Sequence, residues 1–582
     1  MSLFAGIYAL QGEGDGVELP QAAITTITRA ISRAKNQIQT HETPRFFLAY
    51  VDVGAFHEPG FRLSAGAVTA VAGEPLLDSS ANHAPSRYQD LGKLAERLVD
   101  SKEASVLRQC RGSFALCHYQ ESSDDLWLAT DKIGVRPVYY HIGKQFLYFS
   151  TCLRVLEELP QVPKRMDMRA LTEDAVLGYP LGDRTPYADV KILLSGEFLQ
   201  CEGGRPSRKR YFRLEEVEDT QLSLDEFLDA AYESFVSAVA CRSNREGAAV
   251  SFLSGGLDSR CVVAVLKNLG KRVSTIVFDA GDSLDRMIAD QYANLIGSRH
   301  IVRELLPARA PQELLTYGDE RYDKALDLCI AYPQLVFSGD DGSISVGYLY
   351  VDEAQVRLMR EGRVQQAIEH FLHDKPLLRK LFRGDVYRRL ERVAFEGVLE
   401  ELERIDVRNP EKVFYFFHLE NSHRRILRNA VFEDIDVRRI EYLEPFYDGQ
   451  FIELIASAPA EWCLAHRLYY QWLTRFPKEM VQVPWQTYPG HLPCPVEGFT
   501  INRTQWQPTR AKRFWASQPF LPRCWKAMTR SQFPSVLFRR TVVLLAYALH
   551  RVRIRDYGYL IKLFVKFSDY FERCGGRLVF PE

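Results

Sequence analysis

The sequence predicts two structured bodies in one chain: a β-rich N-terminal third and a doubly wound α/β body with helical additions, trailed by a basic helical extension. Three observations predict it. Short β-rich runs bounded by turn residues dominate residues 1–210. A strand, turn, helix, strand, helix succession fills residues 248–297, which is the grammar of a parallel sheet. Residues 501–582 hold 16 Lys and Arg against 4 Asp and Glu, a break from a chain whose formal net charge is −1.

The bulk numbers set the frame. With 582 residues the chain has room for about two to four domains. At 46% hydrophobic and 26% charged, its composition is that of a soluble globular protein. The near-zero net charge gives no general sign of a nucleic-acid partner. Eleven scattered cysteines without a Cys-x-x-Cys pair argue against a disulfide framework or zinc knuckle and for a reducing compartment. Met1-Ser2-Leu3-Phe4 opens no secretory signal, and the apolar run 541–549 is far short of the roughly 20 residues that span a bilayer. A cytoplasmic protein without a membrane span is expected.

In the first third, residues 46–51, 66–71, 113–119, 126–130 and 146–150 read as strands, and 22–34 and 91–99 as helices. Residues 131–140 read as strand, turn, strand, punctuated by Gly134 and Pro137. The second body begins with a helix over 222–241. Phe227, Leu228, Ala231, Phe235, Ala238 and Val239 recur there at helical spacing behind the caps Ser223 and Asp225. Strand 248–253, helix 259–268, strand 273–278 and helix 285–296 follow, the last closed by Gly297. Such sheets bind ligands at the carboxyl ends of their strands. That puts Leu253–Ser259 and the pair Val277 and Phe278 on one rim, where the backbone of Val277 or Phe278 suits an adenine edge.

The chemistry concentrates in Leu253, Ser254, Gly255, Gly256, Leu257, Asp258 and Ser259, between an apolar strand and a helix. Free N–H groups at a helix N-terminus, the helix dipole and glycines that admit close approach make an anion cradle. Asp258 would repel a bare phosphate, so the run implies a bridging cation, Mg²⁺. A lone Gly-Gly would be an ordinary turn. The full run in this context points to a nucleotide site.

A family resemblance rests on several further segments. Ala5-Gly6-Ile7, Gly73-Glu74, residues 111–115, residues 131–140 and Phe149-Ser150 follow one another in the order of class II glutamine amidotransferase domains. The first third thereby resembles the N-terminal domain of asparagine synthetase, which implies an antiparallel β-sandwich of the Ntn type with an N-terminal cysteine as its catalytic group. Ala5 stands where that cysteine belongs, and Ala72 where an Asn would help hold the oxyanion. The resemblance therefore implies a domain that has lost its glutaminase.

Downstream, Ser283-Leu284-Asp285, residues 293–297 and His300 continue the likeness. It implies an adenine-nucleotide α-hydrolase fold that holds ATP with its pyrophosphate at 254–259. The family's Gly-x-Gly-x-Asp-Glu motif is similar to residues 345–353. On that resemblance Gly347 belongs to the nucleotide site, Asp352 joins Asp258 on Mg²⁺, and Tyr348 and Glu353 are candidates for catalysis. The bland alternative is an acidic pair capping a helix. Residues 443–448 look like Arg-x-Pro-Phe-Leu-Asp with Leu443 in place of Arg. His466–Tyr470 is similar to a Lys-Tyr-x-Leu-Arg helix, and residues 483–490 to a Pro-x-x-x-Lys-x-Gly loop with Thr487 or Tyr488 in place of Lys. His423, Arg424, Arg425, Arg428, Arg438 and Arg439 form a basic cluster, either an anion clamp or a solvated helix face.

The resemblance covers roughly residues 1–500. The expected domains are an amidotransferase-like 1–210, an ATP-binding synthase-like 211–500 and the extension 501–582. The implied activity is an ATP-dependent ligase that adenylates a carboxylate, releases pyrophosphate and couples the acyl group to an amine. A silent amidotransferase domain on such a ligase is similar to beta-lactam synthetase and lasso-peptide cyclase, whose amine lies within the substrate. The Tyr/Leu-rich loop, the missing Lys and the basic tail favour a peptide substrate. The partners would then be a precursor peptide and its processing protease. A divergent, ammonia-dependent asparagine synthetase and a decayed nucleotide-binding scaffold are the alternatives. Trp506, Phe514, Trp515, Phe520 and Trp525 interleave with basic residues, but no nucleic-acid fold signature accompanies them. The tail is expected to pack on its own body or grip an acidic peptide, with membrane-surface association ranked below these.

Overall fold

A computed structural model describes residues 2–10, 18–64, 66–77, 86–101, 104–243, 247–279, 284–304, 334–375, 377, 379–405, 409–424, 432–488, 490–496, 517–518, 520–530 and 533–581. The expected Ser283, Arg425, Arg428, Trp506, Phe514 and Trp515 lie outside these residues.

The N-terminal strands form two six-stranded antiparallel sheets. One runs Lys191–Ile192, Tyr139–Ile142, Phe146–Ser150, Ser2–Ala9, Phe46–Asp52, Ile38–Glu42. The other runs Arg205–Arg210, Glu197–Glu202, Asp125–Thr130, Phe114–Gln120, Ala67–Gly73, Phe61–Ser64. Alternation decides the layering. Phe4, Tyr8, Phe46, Leu48 and Phe149 fill the space between the sheets with Val68, Cys117, Tyr119 and Leu128, and Phe46 stacks on Tyr119 at 4.3 Å. The intervening Leu3, Ala5 and Ile7 face outward into a second core with Ala23 and Ile27 of helix Gln21–Ala30.

One expectation fails here. Residues 131–138 are not strand, turn, strand; regular structure resumes only at Tyr139. The Asp131 carboxylate organises the segment instead. Its Oδ1 accepts from the N–H groups of Ile133, Gly134 and Val135 at 3.1, 2.8 and 3.1 Å, and its Oδ2 from Arg136 at 3.0 Å. A side chain that satisfies four backbone donors removes them from any ladder.

Helix Leu224–Arg242 opens the second body behind a capping box. Ser223 accepts from Glu226 N–H, and the Glu226 carboxylate takes Ser223 N–H at 2.9 Å. The parallel sheet then runs Arg299–Glu304, Arg272–Asp279, Ala248–Phe252, Gln334–Phe337, Ile440–Leu443. By order of appearance this is 3-2-1-4-5. The order reverses between Ala248–Phe252 and Gln334–Phe337, and the loops leaving those two strands must diverge there and open a crevice.

Buried ion pairs join the two bodies. Asp448 accepts from Arg242 Nη1 at 2.7 Å and Arg111 Nε at 2.8 Å, while its other oxygen takes the N–H groups of Gln450 and Phe451. Burial opposes its charge, but the two guanidiniums prevail and hold the carboxyl below its ordinary 3.8. Arg136 meets Glu441 at 3.0 Å, and Glu441 also accepts from Ser2 N–H at 3.1 Å.

The tail supplies helices Phe520–Thr529, Arg540–Arg551 and Gly558–Arg573. It docks on the chain's own body, one of the two expected fates. Leu578–Val579 pairs in parallel with Met166–Asp167, Arg573 meets Glu157 at 3.1 Å, and Phe382 packs on Phe538. The ten cysteines among the described residues are free thiols. No helix among those residues is long and apolar enough to cross a membrane.

Asp448→Asn leaves two buried guanidiniums facing a neutral amide. It is expected to cost about 3–5 kcal/mol at neutral pH in a denaturant titration. Because the folded-state carboxyl sits below 3.8, its contribution is complete above that value and is lost as the pH falls through the folded one. The gap between wild type and variant therefore narrows below about pH 4.

Candidate functional site

The crevice has two lips. The first is Leu253–Ser259. Leu253 N–H bonds the Ile276 carbonyl at 2.9 Å, so this lip and the ends of Val277 and Phe278 share one rim, as the strand order requires. Ser254 N–H donates to Ser259 Oγ at 2.9 Å and Gly256 N–H to Ser254 Oγ at 3.2 Å. Gly255 N–H donates to Asp285 Oδ1 at 3.0 Å, and that oxygen also accepts from Gln486 Nε2 at 2.9 Å. A carboxylate thus rests on the backbone donor that an anion cradle offers.

The second lip is Ser338–Ser343, which the sequence reading missed. Gly339 lies so close to the first lip that a Cβ on it would sit 2.3 Å from Ser259 N. A Cβ on Gly342 would sit 2.8 Å from Asp258 Cγ. Asp258 accepts from Ser343 N–H at 3.0 Å, Ser343 Oγ at 2.8 Å and the Tyr469 hydroxyl at 2.7 Å. The surrounding protein pushes its carboxyl up to about 6, against the pull of those donors. Asp341 is buried, and neither oxygen receives a well-formed hydrogen bond; the Tyr447 hydroxyl lies by it outside good geometry. Burial, then Asp258 and Asp340, drive its carboxyl well above the ordinary range. Glu444 beside them is pushed by burial to about 8. The available signal was Ser338-Gly339-Asp340-Asp341-Gly342 directly after the apolar Leu335-Val336-Phe337.

Asp352 sits elsewhere. Its Oδ1 caps helix Glu353–Arg360 by accepting Gln355 N–H at 2.8 Å, and its Oδ2 meets His370 at 2.7 Å. The carboxylates that act on Asp258's neighbour Asp341 are Asp340 and Glu444, so the structure does not bring Asp352 to Asp258. Glu353 points to solvent, where it meets Arg467 at 2.8 Å. Tyr348 is driven into the core with φ 48°, stacked on Tyr415 at 4.2 Å. Gly347 makes room for a ring: a Cβ there would meet His466 Nε2 at 2.7 Å. His423 and Arg424 are buried rather than presented on a solvated face.

Beyond Asp258 the crevice continues into a pocket whose lining includes Leu257, Ser343, His466, Tyr470, Trp485 and Tyr488. Arg260 positions this wall. Buried in helix Asp258–Asn268, it donates to the carbonyls of Met480, Val483 and Pro484 at 3.0, 2.7 and 2.9 Å, which fixes the segment before Tyr488. His491 Nε2 reaches the Leu349 carbonyl at 3.3 Å and therefore carries a proton. Its Nδ1 then accepts from His466 Nδ1–H at 2.7 Å, leaving His466 Nε2 as a bare acceptor. Burial, reinforced by His491, lowers His466 to about 3, so the pair is neutral. Among the described lining residues there is no Lys or Arg.

A divalent cation fits the crevice. Asp258 and Asp341 share it, and burial holds both carboxyls high. No trio of His, Cys, Asp or Glu among the described residues could hold a metal alone. Mg²⁺ commonly takes one or two protein carboxylates and completes its shell with phosphate oxygens and water. In the other body, Ala5 is fully buried, paired with Ala49 on one side and Ser150 on the other.

Two family models match the chain: a glutamine amidotransferase domain over residues 96–212 and asparagine synthase over residues 230–333. A putative glutamine-hydrolyzing asparagine synthetase of Mycobacterium tuberculosis is 27% identical over 227 residues, covering 37% of this chain and 35% of that one. The glutamine-hydrolyzing asparagine synthetase 3 of Bacillus subtilis is 28% identical over 188 residues, covering 31% and 30%. The amidase chry2 of Gibberella zeae is 24% identical over 221 residues, covering 34% and 32%. The chain thus spans about a third of the length of these curated relatives. A solved glutamine phosphoribosylpyrophosphate amidotransferase from B. subtilis aligns with 63% of this chain and 79% of its own, at 10% identity and a TM-score of 0.23, too slight a likeness to bear on the overall fold.

Two glycine substitutions separate packing from ligand approach. Gly339→Ala must push backbone from backbone and is expected to cost about 1–3 kcal/mol in thermal or chemical unfolding. Gly256→Ala, whose Cβ meets only Ser254 Oγ at 3.5 Å, is expected to stay within about 0.5 kcal/mol of wild type.

Proposed function

We propose that this chain, which matches the asparagine synthase family model over residues 230–333, is an ATP-dependent amide-forming ligase of the asparagine synthetase superfamily without glutaminase activity, closest in character to a lasso-peptide macrocyclase. The observation that carries the nucleotide half is the crevice itself. A Ser-Gly-Gly lip at the point where strand order reverses faces a buried acidic pair that lacks a counter-charge.

The triphosphate takes Gly255 N–H from Asp285 and lies along Ser254, Gly255, Gly256 and Ser259, with the adenine near the strand ends Val277 and Phe278. Asp258 and Asp341 would hold Mg²⁺ against the phosphates, and the ion would neutralise the charge of departing pyrophosphate. A substrate carboxylate oxygen attacks the α-phosphorus, and the bond to pyrophosphate breaks. The substrate amine then attacks the acyl carbon, AMP leaves with the C–O bonding pair, and the amine proton passes to solvent or a nearby base.

The acceptor pocket supports a peptide rather than a free amino acid. Aspartate presents an α-carboxylate that calls for a cation, whereas the described lining is aromatic and neutral. Ammonia from glutamine finds no support either. Ala5 carries no nucleophile, and burial raises the Cys152 thiol to about 11 and the Cys201 thiol to about 12.

ATP–pyrophosphate exchange tests the reading. Exchange is expected with peptides bearing an Asp or Glu side chain and a free N-terminal amine, and none with aspartate, with or without ammonia. Asp258→Asn and Asp341→Asn should each lower it about 10²–10³-fold, while Asp352→Asn leaves it unchanged. Exchange driven by aspartate alone would return the protein to asparagine synthesis, and glutamate released from glutamine would overturn the loss of glutaminase.

A further inference from the structure

The C-terminal extension carries an exposed surface of unusual chemistry. Helix Arg540–Arg551 buries Val543, Ala546, Tyr547 and His550. Its opposite face shows Thr541, Leu544, Leu545 and Ala548 to solvent, with Leu545 61% exposed. A helix that is apolar on its outer face as well as its inner one calls for a second cover. Past the helix end Val552 and Ile554 are exposed as well, at 63% and 66%. Trp525, 49% exposed, lies against Tyr547 at 5.6 Å and brings an aromatic edge alongside.

The charge along this stretch is basic up to Arg555, which Asp556 follows. Arg539 and Arg540 stand at one end of the helix; Arg551, Arg553 and Arg555 alternate with Val552 and Ile554 at the other. All five are exposed. Between Glu497 and Asp556 the chain has twelve Lys and Arg and no Asp or Glu. The partner must therefore be anionic where the arginines lie and apolar between them.

We propose that this face is a docking surface for an anionic phospholipid bilayer, on which the protein sits peripherally. Leu544, Leu545, Val552 and Ile554 enter the boundary between headgroups and acyl chains, Trp525 lies at headgroup depth, and the arginines meet lipid phosphates. A second copy fits poorly, because pairing the face with itself sets five arginines against five. Single-stranded nucleic acid fits poorly too, because Leu544, Leu545, Val552 and Ile554 offer its bases no stacking platform and Trp525 alone is aromatic there. The surface is independent of the ligase crevice.

Co-sedimentation of the full-length protein with vesicles tests this. Binding is expected to phosphatidylcholine vesicles containing phosphatidylglycerol and not to phosphatidylcholine alone. It should weaken as salt rises from about 0.1 to about 1 M, which shortens the Debye length from ~10 to ~3 Å. The triple variant R551Q/R553Q/R555Q should lower the partition coefficient about a hundredfold. The pair Leu545→Glu and Ile554→Glu should abolish binding, while Leu63→Glu, exposed on the N-terminal sheet edge, should not change it. Failure to bind phosphatidylglycerol vesicles, equal binding to both vesicle types, or full binding by either multiple variant overturns the proposal. Capture by immobilised polyglutamate without vesicle binding assigns the face to an acidic polypeptide instead. Concentration-dependent dimerisation without vesicle binding assigns it to a second copy.

Discussion

The site depends on one close approach. Two loops leaving neighbouring parallel strands come into backbone contact because Gly339 and Gly342 have no side chains. Everything polar in the crevice follows from that contact. It seals Asp341 from water, lays Ser343 on Asp258 and lets Tyr469 reach the same carboxylate. It also buries Asp258 and Asp341 beside Asp340, and that burial, with the repulsion among the carboxylates, holds their protons on more tightly than water would. The protein alone is thus electrostatically unfinished at this point, and a cation carrying phosphate would complete it. Asp285 plays the complementary part on the first lip, where its carboxylate occupies a donor that suits a phosphate.

The N-terminal body serves this crevice from behind. Glu441 and Asp448 flank the turn that follows the edge strand Ile440–Leu443, and each is held by arginines from the sandwich side or by Arg242. Glu444, at the tip of that turn, reaches the acidic cluster. A sandwich without a nucleophile at Ala5 still has work as a wall, because removing it would take Arg136 from Glu441 and leave Asp448 to Arg242 without Arg111. Ion pairs of this kind are weak evidence for stability and better evidence for register. Here they set where the fifth strand ends relative to the fourth.

Much of this was legible in the sequence. The β-rich runs Phe46–Asp52 and Phe114–Gln120, buried on both faces, and the helix behind Ser223 read directly, because local pattern and tertiary environment agree there. The first lip read well because strand, glycines and helix are contiguous. The second lip was missed because Gln334–Phe337 is a short strand whose partners lie far away in sequence, and because Asp352-Glu353 offered a more familiar pair ahead of a helix. An acidic residue before a helix satisfies capping as readily as metal binding, and sequence cannot tell the two apart. The turn at Asp131 was misread for a related reason: β-rich letters on both sides concealed a carboxylate that gathers four amides to itself. Arg260 left only a faint signal, one basic residue just ahead of the apolar run 261–266.

The short parallel pairing of Met166–Asp167 with Leu578–Val579 has a consequence for biosynthesis. During translation the first of these segments emerges long before the second, so Met166–Asp167, bonded on one side to residues 186–188, waits for its partner on the other while the residues between are made. Its completion is a late, entropically expensive closure that follows assembly of the helices between. An edge held open in this way is an opportunity for a chaperone and a hazard at high expression, and Leu578–Val579 is the segment that closes it.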